Sequence, residues 1–360
     1  MRRALFVLPA LVLTLAAQEA AAPAAPPVTA DQRKAVVETL ARELKARYVF
    51  PEVAEQTGAA LKARAAQGAY DGAATAQAFA EALSRDLREV GRDGHFRVRF
   101  DPAFKPASDD DDKPPTRDEV AQMRQFSQRR GFGIAKVEQL PGNVGYLDIR
   151  GFGPTEFVGP AFSAALSLLS GTEALILDLR QNGGGDPESV AYLVSHFFEE
   201  GDTRHLNSIY NRPKNTTRQY WTTATVAPRY GKPVYVLTSA RTFSGGEECA
   251  YDFQTQKRAT LVGETTGGGA NPGGAVLLGH GFNAFIPTGR AINPVTGTNW
   301  EHVGVKPDLA VPAAEALKAA HGAILRGILE KEKDPDYRKR LEGILARVEK
   351  GEPEPVRYAR

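Results

Sequence analysis

Val234-Tyr235-Val236-Leu237-Thr238-Ser239-Ala240-Arg241-Thr242-Phe243-Ser244-Gly245-Gly246-Glu247 begins as a short apolar run and ends on a serine at the first turn of a helix. Strand, turn and helix in that order are the repeating unit of an α/β fold, so this stretch sets the reading of its neighbours. A second unit precedes it, where the strand Ala174-Leu175-Ile176-Leu177-Asp178-Leu179-Arg180 runs into Gln181-Asn182-Gly183-Gly184-Gly185. Extended further, the pattern predicts strands over 133–137, 144–149, 174–180, 233–239 and 259–264, with helices over 187–200 and 244–257. The extended segment 275–287 and the run 305–311 are expected to finish the sheet. Upstream, Val36, Val37, Leu40, Leu44, Leu61, Phe79, Leu83 and Leu87 recur mostly at spacings of three and four, which predicts three helices. The expected architecture is a crossover-type α/β domain over 93–312, a three-helix bundle over 29–92 and amphipathic helices over 313–360.

Hydrophobic residues make up 42% and charged residues 24%, ordinary for a globular chain and far from the disordered class. Lys plus Arg number 45 against 43 Asp plus Glu, and no basic block interleaves with aromatics, so neither nucleic acid nor an anionic membrane is expected as partner. Met1-Arg2-Arg3, the apolar run 4–17 and the Ala/Pro tether 20–27 read as a secretory signal and linker, assigned to residues 1–28. No cysteine follows the run to carry a lipid, and no later window is apolar enough to span a bilayer, so no stable membrane anchor is expected and the mature protein should be exported. Cys249 is the only cysteine, which excludes an internal disulfide and suits a small core residue. The acidic run Asp109–Asp112 beside prolines reads as a solvated loop, since consecutive carboxylates lack calcium-ligand spacing.

Ser244 admits two readings. Ser-Gly-Gly-Glu is a capping box, with the hydroxyl accepting from the N–H three residues on and Glu247 reaching back. Yet two glycines each lower helix propensity by about 1 kcal/mol, a cost that makes sense where backbone must come close to something else. The second reading makes Ser244 a nucleophile at a helix N-terminus, with backbone N–H groups of Gly245 and of Gly183 or Gly184 free to bind an oxyanion. A serine nucleophile needs a base, and of six histidines His95 stands apart, in a tight turn after Asp93-Gly94 where bundle gives way to sheet. The Gly-rich stretch 263–274 lacks the Gly-Lys-Ser/Thr ending of a phosphate loop and reads as a cleft wall. No paired His/Cys spacing or His-Glu-x-x-His implies a metal, and no cofactor is implied.

Several ordered motifs together resemble the tail-specific, or C-terminal-processing, serine proteases, in the branch of the tricorn core and the interphotoreceptor retinoid-binding protein modules. They are Asp93-Gly94-His95, Leu177 to Gly185, Thr242-Phe243-Ser244 with Glu247, Gly263-Glu264-Thr265-Thr266-Gly267-Gly268, Ile286 to Arg290, and Glu301-His302-Val303-Gly304-Val305-Lys306-Pro307-Asp308. The resemblance covers about residues 30–312 and implies a secreted serine endopeptidase acting on peptides or unfolded proteins, with Ser244, His95 and Glu301 as catalytic residues. It also implies substrate binding by Gly267, Gly268 and Arg290. Where the serine–lysine branch has its lysine, this chain has Gly269, so that dyad is excluded. Tricorn-like sequences often place a serine just before the histidine; Gly94 stands there instead. The stretch between His95 and Gly145 is too short for the family's PDZ insertion, which leaves the cleft itself to choose its substrate. The alternative that the same resemblance implies is a non-catalytic carrier of apolar ligands, which would show a deep apolar cavity in place of an open peptide groove.

Overall fold

The computed structural model describes residues 27–106 and 115–352. The signal-like terminus and the acidic run 109–112 lie outside them. In chain order the elements are α1 (Ala30–Arg47), α2 (Pro51–Ala66), α3 (Ala76–Gly91), β1 (Arg97–Phe100), α4 (Arg117–Arg129), β2 (Ile134–Leu140), β3 (Val144–Ile149), α5 (Thr155–Leu169), β4 (Ala174–Asp178) and α6 (Pro187–Ser195). They continue with β5 (His205–Asn211), β6 (Thr216–Trp221), β7 (Val234–Thr238), α7 (Gly245–Thr255), β8 (Thr260–Gly263), β9 (Gly273–Gly279), β10 (Phe282–Pro287), β11 (Gly289–Ile292), β12 (Leu309–Ala310), α8 (Ala316–Lys331) and α9 (Pro335–Lys350).

The protein is mixed α/β. Six strands form the central sheet in the order β12-β8-β7-β4-β3-β2, every neighbouring pair parallel except β2 with β3. Strands β3 and β4 are buried along their whole length, as continuous apolar runs in a sheet covered on both faces must be. One face packs on α5, α6 and α7, through Phe162, Leu166, Val190, Val194 and Phe253; the other packs on α8, through Ala316, Ala320 and Ile324. The amino-terminal helices form as their caps direct: a Thr29–Gln32 capping box starts α1, Pro51 opens α2, and Thr75 caps α3.

Two expectations need correction. The segment 275–287 does not join the central sheet. It folds back on itself at Gly279-His280-Gly281, all with positive φ, and pairs with β1 in a separate antiparallel sheet, β1-β10-β9. The reason is its alternating apolar face: Phe282, Ala284 and Ile286 complete the core of the three-helix bundle together with Phe96 and Val98. From the run 305–311, only Leu309–Ala310 pairs with β8, because Pro307 and Pro312 flank it and supply no N–H to a ladder. The hairpin β5-β6, paired to β11, and the helix α4 carry too little apolar periodicity to be read in advance; α4 has a single buried residue, Ser127.

Candidate active site

Adjacent parallel strands deliver their following loops to the same end of a sheet, and β4 and β7 are neighbours. The loop after β4 therefore meets the loop after β7. They are laced together: the Ser239 hydroxyl donates to the Arg180 carbonyl at 2.6 Å, the Thr242 hydroxyl to Leu179 at 2.8 Å, and the Phe243 N–H to Asn182 at 3.0 Å. Ser244 then stands as the N-cap of α7 with φ 53° and ψ −122°, a region side-chain-bearing residues seldom occupy and that costs on the order of 1–3 kcal/mol. Half of the capping box is plain: the Glu247 carboxylate accepts the Ser244 N–H at 2.9 Å. The first turn closes through the Ser244 carbonyl, which accepts the Glu247 and Glu248 N–H groups at 2.8 and 2.9 Å, so it does not depend on the hydroxyl. The paired glycines have a use that sequence did not show. A Cβ on Gly245 would lie 3.0 Å from the Gly185 nitrogen and one on Gly246 2.7 Å from Asn182 Oδ1, so both let the helix head seat on the neighbouring loop.

Ser244 and His95 line one cleft of about 530 Å³, with Phe243, Phe285, Gly183 and Gly185. His95 reaches it from the turn before β1, held by its own N–H bond to Asp93 Oδ1 at 2.9 Å. Its ring packs on Phe243 with centroids 4.6 Å apart and faces Phe285 at 5.9 Å. Both ring nitrogens are buried and without a hydrogen-bond partner. The carboxylate nearest the ring is Asp93, with Oδ1 3.5 Å from Nδ1; its other oxygen accepts from the Tyr48 hydroxyl at 3.2 Å and the Asn271 amide at 2.9 Å. Glu301 makes no ion pair with His95. Its Oε2 accepts the Ala270 N–H, and Oε1 is buried without a hydrogen bond, 3.7 Å from His302 Nδ1. Burial first, and then the Asp93 and Glu247 carboxylates, push Glu301 up to about 8, so it carries a proton at neutral pH. Against an unfolded value near 4.5, the folded protein binds that proton more tightly. The stability Glu301 contributes is therefore fully present below about pH 4.5 and is lost as pH rises through about 8. Glu301→Gln, which stays neutral, is expected to flatten this decline in urea-unfolding midpoints measured across the window; an unchanged slope would refute the assignment.

Of the expected oxyanion donors, Gly245 is at the head of α7, where an N–H has no intrahelical acceptor. Gly183 lines the cleft, but its N–H points to the Arg150 carbonyl at 3.4 Å. The Gly184 N–H is already given to Asn182 Oδ1 at 2.8 Å. Gly185, part of the same glycine run but not among the expected donors, lines the cleft beside Ser244. Gly267, Gly268 and Arg290 do not line this cleft. Gly267 backs onto Phe243, the Gly268 N–H donates to Glu247 Oε1 at 2.6 Å, and Arg290 of β11 lies over the Tyr210 ring of β5. Arg97, Arg99 and Asp101, from β1 and the residue after it, take their place in the wall. The alternating Arg-Val-Arg pattern was the available signal for those arginines, because residues two apart on a strand share a face.

Gly269, where a lysine would stand in a serine–lysine site, is where the histidine needs room. A Cβ there would sit 2.8 Å from His95 Cε1 and closer still to the Phe243 ring. Gly269→Ala is expected to displace the imidazole and to destabilise the fold by about 1–3 kcal/mol, read by thermal unfolding and by the NMR shifts of the His95 ring. Unperturbed ring resonances would show that the site tolerates the added methyl.

Comparison with known proteins brings the two halves of the chain together. Residues 143–311 match the model of peptidase family S41, and residues 28–129 match the N-terminal domain of that family described for eukaryotic IRBP. The carboxy-terminal processing protease CtpB of Bacillus subtilis is 28% identical over 190 residues, covering 52% of this chain and 38% of its own. Carboxyl-terminal-processing peptidase 1 of the Arabidopsis thaliana chloroplast is 25% identical over 188 residues, 52% of this chain and 37% of its own. The chain thus spans under two fifths of the length of these curated relatives. Among solved structures, a Parabacteroides merdae protein superposes with a TM-score of 0.56 at 19% identity, over 81% of this chain and 96% of its own. A lipoprotein of Streptococcus agalactiae gives 0.52 at 13% identity over 83% and 96%. Among the described residues no helix is long and apolar enough to cross a membrane, and no cluster of three or more His, Cys, Asp or Glu could hold a metal.

Proposed function

Because the chain belongs to peptidase family S41, we propose that it is a serine endopeptidase in which Ser244 attacks the peptide carbonyl and His95 takes its proton. The observation that carries the reading is the pairing within one cleft of a serine on strained backbone at a helix head with a histidine whose ring nitrogens have no other partner. In the reaction, His95 removes the hydroxyl proton as Oγ bonds to carbon, then returns it to the leaving amine; water repeats the cycle to free the acyl-enzyme. Asp93, whose Oδ1 stands 3.5 Å from Nδ1, orients the ring and stabilises the imidazolium, while Glu301 holds the neighbouring loop through the Ala270 N–H. The Gly245 N–H binds the developing oxyanion from the helix head, and the Gly183–Gly185 loop closes the other side.

The relatives' names suggest processing of carboxy-terminal segments, and the substrate would be a peptide or an unfolded protein. The signal-like terminus supports export to the periplasm or the exterior. One observation favours a carrier instead, the apolar trough described below. The deciding experiment is intact-mass analysis after treatment with an organophosphonate serine-hydrolase probe. One adduct on the parent protein that is lost in Ser244→Ala and in His95→Ala is expected; no adduct on the parent would overturn the peptidase in favour of the carrier.

A further inference from the structure

Between α4 and the segment after β3 runs a trough of about 910 Å³, within the size range of ligand sites and lined mainly by apolar atoms. Met123 and Phe126 of α4 form one wall; Phe132, Phe152 and Val158 form the other. Phe126 is 58% exposed, with the Arg130 guanidinium over its ring at 4.4 Å, on a helix whose only buried side chain is Ser127. The helix is held instead by Arg124, whose guanidinium lies over the Phe157 ring at 4.9 Å. Its apolar residues are thus left outside the buried core.

The trough ends at the loop after β4, which packs against the nucleophile's loop. Gly184 and Gly185 line it, and Gly185 also lines the Ser244 cleft. The Phe152 N–H donates to Gly184 at 3.0 Å and the Asp186 N–H to Phe152 at 2.8 Å, so wall and loop move as one piece. Arg129, Arg130 and Arg150 line the trough without a carboxylate among them. Arg150 is paired with Asp148 at 2.9 Å, whereas Arg129 and Arg130 form no ion pair among the described residues. The rim therefore favours negative charge.

We propose that this trough is a substrate-selecting subsite that takes an apolar stretch of the peptide chain with an acidic residue beside it, while the scissile bond lies over Ser244. The assignment rests on the peptidase reading for its purpose, and on the continuity at Gly185 for its placement. It gives the short segment between β1 and β2 the selecting role for which it has no room to carry a PDZ domain. Met and Phe suit the task, since an unbranched thioether and an exposed ring adapt to several apolar side chains.

The test uses fluorescent peptides with the full-chain Ser244→Ala protein, which binds without cutting. One peptide carries apolar residues beside Glu, a second has serines in place of the apolar residues, and a third has Lys in place of Glu. The first should bind about ten- to a hundredfold more tightly than the other two, and Phe126→Asp or Met123→Asp, each made separately, should erase that preference while moving the serine peptide little. Three peptides bound alike, or a loss shared equally by all three, would overturn the subsite. The same peptides given to the parent protein separate the two readings. Preferential binding without cleavage would leave the subsite standing and remove the peptidase, whereas cleavage of all three with equal kcat/KM would do the reverse.

Discussion

Ser244→Ala is expected to lower kcat for peptide hydrolysis by on the order of 10⁴- to 10⁶-fold, with the fold and its stability nearly unchanged. The size of the effect follows from the site's construction. Without Oγ no acyl-enzyme forms, and what remains is the oxyanion binding of the helix head and loop, which accounts for a residual rate over water. Stability should hold because the first-turn N–H groups of Glu247 and Glu248 are accepted by the Ser244 carbonyl, which alanine keeps. Relief of strain is also small, since alanine at φ 53° is no more comfortable than serine. The check is steady-state kinetics beside urea unfolding of both proteins. A variant that keeps even a tenth of the parental kcat would exclude Ser244 as nucleophile, and a large loss of stability would show the serine to be structural.

Glu247→Ala should do the opposite, unfolding the protein more readily by about 3–5 kcal/mol and taking activity with it. This carboxylate is wholly buried and gathers four donors: the N–H groups of Ser244 at 2.9 Å, Gly268 at 2.6 Å and Gly269 at 2.8 Å, and the Thr266 hydroxyl at 2.5 Å. Each donor left without an acceptor in the interior costs on the order of 1 kcal/mol or more. Burial pushes the Glu247 pKa up and the four bonds pull it down, so the group is held by its hydrogen bonds against its desolvation. Because Gly269 packs against His95, loosening this clamp frees the loop that shapes the histidine's side of the cleft. Glu247→Gln, keeping one acceptor oxygen, should lose less. Differential scanning calorimetry of the three proteins decides the matter, and equal melting temperatures would remove Glu247 from this role.

Local chemistry made much of the molecule legible in one dimension. Periodicity gave three amino-terminal helices, as the structure has them, since apolar spacing and caps such as Thr29 and Thr75 act over three or four positions. Burial on both faces gives β3, β4 and β7 apolar runs that no other environment calls for. The placing of Ser244 at a helix head and of His95 in a turn was readable because each sits in a short motif of turn-forming residues. Helix α4 escaped because a helix that buries one side chain leaves no stripe, and the hairpin β5-β6 escaped because β6 faces solvent along most of its length.

The sequence by itself determined the order of strands and helices, the serine at a helix head and the histidine in its turn, for each depends on neighbours a few residues away. Only the tertiary structure decided what stands around them. Asp93 comes to face the imidazole at 3.5 Å, Glu301 turns to the Ala270 N–H, and the Gly184 N–H is claimed by Asn182. Each of these is a competition among several acceptors for one donor, or several carboxylates for one ring. Asp93 and Asn182 stand only two residues from the groups they meet, yet that they win depends on where their rivals come to lie, Glu301 being about two hundred residues from His95, and no spacing along the sequence encodes that.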